Sequence, residues 1–92
     1  MENNVLTFQT TDYSLASFLA AKKIAGIGKI AWLNKDDRSA TVEIFYSEVN
    51  SITFNRLLQA YASKQEVTLN LQKYSDNFRF IASLAKQKRG LL

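Results

Sequence analysis

The chain has 92 residues, of which 47% are hydrophobic and 22% are charged, a balance typical of a globular domain rather than of a disordered chain. Cysteine and histidine are both absent, which excludes disulfides, thiol nucleophiles, imidazole-based catalysis and zinc sites built on sulfur or imidazole. The formal net charge is +4, and the whole excess lies in residues 47–92, which is typical of a solvated basic surface and also suits an anionic partner.

The chain shows no sign of division or of membrane insertion. There are no prolines and only three glycines, so no linker separates two parts. No apolar run approaches the roughly 18–20 residues that span a bilayer, and residues 1–4 lack the features of a secretion signal. We therefore expect a single cytoplasmic domain over residues 1–92, with short flexible ends at 1–4 and 89–92.

The first predicted elements are a strand and a helix. Residues 5–9 alternate apolar and polar side chains, which predicts a short, half-buried strand. Asp12 follows, and its side-chain oxygens can accept the unpaired amides of a first helical turn. The alanine- and leucine-rich run behind it predicts a helix over about residues 12–23, with Gly26 as its exit.

A hairpin is predicted next. Residues 29–33 and 40–46 both alternate, and the loop between them is polar. Trp32 shares a face with Val42 when the bend falls at Asp37, whereas a slip by one residue would place a glutamate on the tryptophan face. We therefore expect a bend at Asp37 and a largely buried Trp32.

Three more elements complete the predicted order. An unbroken helical spacing of apolar residues predicts a second helix from residue 50 or 51 to about residue 63. Alternation over residues 67–72 predicts a fourth strand. A third helix is predicted from residue 75 or 76 to about residue 88, with Gly90 ending it.

The order β-α-β-β-α-β-α is typical of an α+β fold, in which helices pack on one face of a small, mainly antiparallel sheet. Six aromatic side chains lie on the apolar side of their own element, so we expect them in the core. They are Phe8, Phe18, Trp32, Phe54, Tyr61 and Phe78.

The segment FQTTD at residues 8–12 leads into LASFLAAK at residues 15–22, and a hairpin and a helix carrying Tyr61 follow. This order resembles a family of small bacterial and phage domains of unknown function. Its pattern is F-x-T-x-D, a leucine- and alanine-rich helix, a hairpin, and a helix with a leucine and a tyrosine. The resemblance covers about residues 6–85 and implies a protein of a bacterial cell or of a phage-infected host. Family members usually carry a glycine directly after the first helix, whereas this chain reaches Gly26 only after three further residues.

No motif indicates an enzyme. The glycines of GIGK at residues 26–29 lack the P-loop spacing and the hydroxyl residue that would follow the lysine. Asp36 and Asp37 lack the alternating oxygens and closing glutamate of a calcium loop. We therefore expect a non-enzymatic protein with no catalytic residue, no cofactor and no metal site.

The leading functional hypothesis is a protein-interaction module: an adaptor, an inhibitor or a virion-type component that binds a protein partner or a second copy of itself. Aromatic side chains that fit the core least well would anchor such an interface. These are Phe45, Tyr46 and Phe80. The open edges of the sheet would accept a further strand from a partner or from a second copy.

The alternative hypothesis is a nucleic-acid-binding accessory protein that uses the basic face of the C-terminal helix. Lysine and arginine side chains there would contact phosphates. The candidates are Lys73, Arg79, Lys86, Lys88 and Arg89. Phe45 and Phe80 would then stack on unpaired bases.

Overall fold

The computed structural model describes residues 4–34, 36–64 and 70–91. In these ranges the chain forms β1 (Val5–Thr10), α1 (Tyr13–Ala20), β2 (Ala25–Ala31), β3 (Thr41–Ser47), α2 (Ser51–Ala62) and α3 (Leu71–Arg89). A single 3₁₀ turn, Glu48–Asn50, joins β3 to α2. The predicted α+β class is confirmed.

The central strand of the sheet is β3, which pairs antiparallel with β1 on one side and with β2 on the other. Because β3 opposes both, β1 and β2 run parallel to each other, which is the split β-α-β arrangement. Val42 and Ile44 of β3 are fully buried, whereas Phe45 points to the opposite face and is 43% exposed. The helices thus cover one face of the sheet, as the sequence predicts.

Phe54 of α2 lies at the centre of the core. It is 1% exposed, its ring stacks on that of Tyr46 with centroids 3.8 Å apart, and it meets Phe8 edge-on at 5.8 Å. Buried side chains of α1 and α3 belong to the same cluster, namely Ala16, Phe18, Leu19, Ala20, Ile81 and Ala85. Of the six aromatics expected in the core, only Phe78 is more than a third exposed, at 37%.

The first helix begins as predicted and ends earlier. One carboxylate oxygen of Asp12 accepts hydrogen bonds from the amides of Ser14 and Leu15, at 3.0 and 3.1 Å. The predicted end near Lys23 is wrong, because α1 stops at Ala20. The chain needs the next residues to turn back into β2, so pairing within the sheet overrides the local helix propensity.

The prediction that Gly26 ends the first helix is wrong. Gly26 lies inside β2, opposite Phe45. A β-carbon at Gly26 would lie 2.5 Å from Cζ of Phe45. Glycine thus lets the phenyl ring lie directly over the strand backbone, and a larger residue would displace the exposed ring.

The hairpin has the predicted faces but an irregular register. Ile30 pairs with Val42, which keeps both side chains on the buried face, whereas farther from the loop Ile27 pairs with Ile44. Two residues of β2 thus face one residue of β3 between these pairs, which is a β-bulge. Uniform alternation does not predict this bulge.

The hairpin loop closes near the predicted bend. The amide of Asp37 donates to the carbonyl of Asn34 at 3.1 Å, and the Asp37 carboxylate accepts from the Asn34 amide at 3.0 Å. Trp32 follows β2 directly and is partly buried against the core.

The predicted fourth strand and the start of the third helix need correction. Residues 67–69 lie outside the described residues, but Leu71, which the alternation assigned to that strand, begins α3. Asn70 caps the helix, since its side-chain oxygen accepts the amide of Lys73 at 3.0 Å. The predicted start at residue 75 or 76 is therefore wrong, while Gly90 ends the helix as predicted.

Replacing Phe54 with alanine should cost about 3–5 kcal/mol of the free energy of unfolding, because it leaves a cavity between two aromatic rings. Leu58→Ala, in the same helix, should cost clearly less, since Leu58 is only partly buried. Urea denaturation of both variants measures the difference. Equal losses would show that the core is not centred on Phe54.

Tyr61 links α2 to the cap of α1, because its hydroxyl donates to the second carboxylate oxygen of Asp12 at 3.5 Å. Burial, and then the negative charge of Asp12, raise the pKa of Tyr61. A raised pKa in the folded state stabilises the protein below the unfolded pKa, near 10, and this contribution is lost as the pH rises through the folded value.

Tyr61→Phe should therefore flatten the decline of stability above about pH 10. The measurement is the midpoint of urea unfolding between pH 8 and 11 for the parent and the variant. If the midpoints of the parent and the variant declined in parallel with pH, the folded protein would not stabilise the neutral form of Tyr61.

Candidate interaction site

Two of the basic residues on α3 contact the protein's own sheet. Lys88 Nζ donates to the backbone carbonyl of Ile30 in β2 at 2.6 Å, and the guanidinium of Arg89 lies 4.8 Å from the ring centroid of Trp32. The indole N–H of Trp32 donates in turn to the carbonyl of Ala85 at 2.8 Å. These three contacts fasten the C-terminal half of α3 to β2 and to Trp32, the residue that follows it.

The other three basic candidates, Lys73, Arg79 and Lys86, are exposed along α3. Lys86 lines a shallow groove of about 570 Å³ together with Phe80, Ser83, Leu84, Gln87 and Gly90. The structure therefore brings the candidate cation Lys86 and the candidate aromatic Phe80 together in one groove. Lys73 lies apart from them, in the first turn of α3.

The three candidate interface aromatics lie in different surroundings. Tyr46 stacks on Phe54 on the helix-covered face of the sheet. Phe45 lies on the uncovered face, and Phe80 is 52% exposed on α3. Phe45 and Phe80 thus belong to separate surfaces, and no shared aromatic platform forms among the three.

Within the described ranges, the outer edge of β1 carries backbone groups without a partner. The sequence predicts open sheet edges but does not show which strand carries them. The amide of Glu48 donates to the carbonyl of Asn4 at 2.8 Å, which makes this pair a hydrogen-bonded one. Hydrogen-bonded and non-hydrogen-bonded pairs alternate along an antiparallel ladder. Every second residue after Asn4, which includes Leu6 and Phe8, therefore turns its backbone N–H and C=O groups toward β3. The intervening residues turn their N–H and C=O groups outward. These are Val5, Thr7 and Gln9.

Nothing in the described part of the chain pairs with this outward row. Residues 4–11 contain neither a charged residue nor a proline, the features by which proteins usually protect an edge strand. The edge on the β2 side differs, because it carries the β-bulge, the exposed Lys29 and the Lys88 contact. Among the described residues the sheet therefore has one protected edge and one bare edge, and only the strand order shows which edge is which.

The described ranges hold neither a metal-binding cluster of acidic side chains nor a long apolar helix. No three acidic side chains gather there in a way that would hold a metal ion. None of the helices described is long and apolar enough to cross a membrane.

No family model, no curated protein and no solved structure matches this chain. The resemblance to a family of small bacterial and phage domains stays a prediction.

Two double variants, each removing two positive charges, separate the structural cations from the exposed ones. Lys88→Gln with Arg89→Gln should lower the free energy of unfolding by about 1–3 kcal/mol, because a charged hydrogen bond and a cation–π contact are lost. Arg79→Gln with Lys86→Gln should change it by less than about 0.5 kcal/mol. Urea denaturation with tryptophan fluorescence measures both. Similar losses for the two pairs would mean that general charge, not these contacts, sets the effect.

Proposed function

We propose that this protein is a non-enzymatic protein-interaction module that binds a partner by strand addition at β1. The observation that carries the proposal is the outward row of backbone groups of Val5, Thr7 and Gln9 on an uncharged strand. An extended segment placed beside this row would satisfy these groups and lengthen the sheet by one strand.

The side chains of β1 would add selectivity to the backbone contacts. Leu6 is 36% exposed and Phe8 is partly buried, and both lie on the helix-covered face. Thr7 and Gln9 lie on the other face and are exposed. Since side chains alternate along an added strand, a partner with apolar residues toward Leu6 and polar residues toward Thr7 fits best.

Binding at this edge should depend little on salt, because residues 4–11 are uncharged. The alternative function, nucleic-acid binding through α3, is supported by the exposure of Lys73, Arg79 and Lys86. It would give affinity that falls steeply with salt and disappears when these charges are removed. The two functions therefore use different surfaces and differ in how strongly salt weakens binding.

Thr7→Pro is the variant that tests strand addition. The Thr7 amide points away from β3, so proline there removes an outward donor without breaking the internal ladder. Extended peptides selected from a displayed library against the parent protein serve as probes. They should bind Thr7→Pro at least tenfold more weakly, while the Arg79→Gln, Lys86→Gln double variant binds them like the parent.

Circular dichroism of Thr7→Pro serves as the control that the domain still folds. Peptides that bind Thr7→Pro and the parent equally would refute strand addition at β1. Binding of generic single-stranded DNA or RNA at low salt, lost in the charge variant and retained in Thr7→Pro, would favour the alternative function.

A further inference from the structure

We propose that a second copy of this chain occupies the bare edge, the two β1 strands pairing antiparallel about a twofold axis at Thr7. The inference rests on the proposed function, strand addition, and names the partner. The result would be a continuous six-stranded sheet formed by two three-stranded halves.

The outward backbone groups determine the register. A twofold axis perpendicular to the sheet keeps the helices of both copies on one side, so paired residues must lie on the same face of the strand. With Thr7 opposite Thr7 of the second copy, Val5 lies opposite Gln9, and all of the outward groups find partners. This register forms about six hydrogen bonds, whereas a shift by two positions in either direction forms about four.

The side chains agree with this register. On the helix-covered face Leu6 lies opposite Phe8 of the second copy, an apolar pair at the closer, non-hydrogen-bonded spacing. On the uncovered face Thr7 meets Thr7, a pair in which the hydroxyl groups can hydrogen-bond. The two side chains of every pair across the interface thus lie on the same face of the sheet, and the side chain of Leu6 gains an aromatic neighbour.

The absence of charge on β1 and the exposed apolar surface beside it both allow a second copy to pair here. A strand that pairs with itself brings like residues close together, and β1 avoids repulsion because residues 4–11 carry no charge. Exposed apolar side chains also gather where β1 begins and β3 ends, two points joined by the Asn4–Glu48 hydrogen bond. They are Val5 at 65%, Leu6 at 36%, Val49 at 74% and Ile52 at 71% exposed.

Single cysteines test the register directly, because the chain has no cysteine of its own. In the proposed dimer the two Thr7 Cα atoms lie about 5.5 Å apart, within the range that a disulfide bridges. The two Gln9 Cα atoms lie about 14 Å apart, beyond that range. Gln9→Cys is thus a matched control on the same edge and the same face.

Under mild copper-phenanthroline oxidation, Thr7→Cys should give roughly tenfold more disulfide-linked dimer than Gln9→Cys. Equal cross-linking of the two variants would overturn the register, because it would reflect random collision or another pairing. Stronger cross-linking of Gln9→Cys would overturn it as well.

A charge exchange provides a second readout in solution that does not depend on disulfide formation. Thr7→Lys places two like charges opposite each other at the axis, and Thr7→Glu does the same with the opposite sign. Each should weaken the dimer several-fold in sedimentation equilibrium, and an equimolar mixture of the two should restore association. Gln9→Lys, which faces Val5, should have a smaller effect.

The failures of the two proposals are distinguishable. A parent protein that stays monomeric at millimolar concentration, yet still binds selected peptides that Thr7→Pro rejects, would overturn the dimer and leave strand addition in place. A monomer that binds no such peptide, with the amides of Val5, Thr7 and Gln9 protected from hydrogen exchange, would overturn both, because the edge would be covered from within the chain.

Discussion

The structure depends on β3 being the strand that pairs on both of its sides. Val42 and Ile44 are fully buried there, and the aromatic stack of α2 rests on Tyr46 of the same strand. With β3 central, β1 and β2 become the outer strands, and each has a single partner among the described residues. The helices and loops then decide how each outer strand meets its surroundings, so the exposure of β1 follows from the position of β3.

The basic side chains of α3 have two different roles, which the net charge of the helix does not distinguish. Lys88 and Arg89 place their charges on a backbone carbonyl and on an indole ring, so these cations hold the helix against β2. Arg79 and Lys86 remain exposed and are available to an anionic ligand. A stripe of positive charge on a helical wheel is therefore weak support for a nucleic-acid surface until the contacts of each side chain are known.

Local sequence patterns correctly predicted the structural features that are determined by residues close together in the chain. The Asp12 cap, the second helix and the faces of the hairpin all follow from spacing within a few positions. The end of α1, the position of Gly26 and the β-bulge depend on pairing with β3, which lies far along the chain. The alternation of residues 67–72 favours a strand, yet Asn70 caps a helix that begins at Leu71. Likewise, the bare edge of β1 follows only from the order of strands, which periodicity does not contain.

The asymmetry between the two edges of the sheet limits how far any assembly can grow. A sheet with two bare edges adds copies head to tail without end and forms fibres, as edge-to-edge aggregation does. Here the bulge, Lys29 and the Lys88 contact close the β2 side, so an added strand on β1 leaves no second bare edge on this chain to receive another. Growth by the proposed strand addition would thus be self-limiting, and a chain with an unprotected strand can avoid polymerisation without a proline or a charge on that strand.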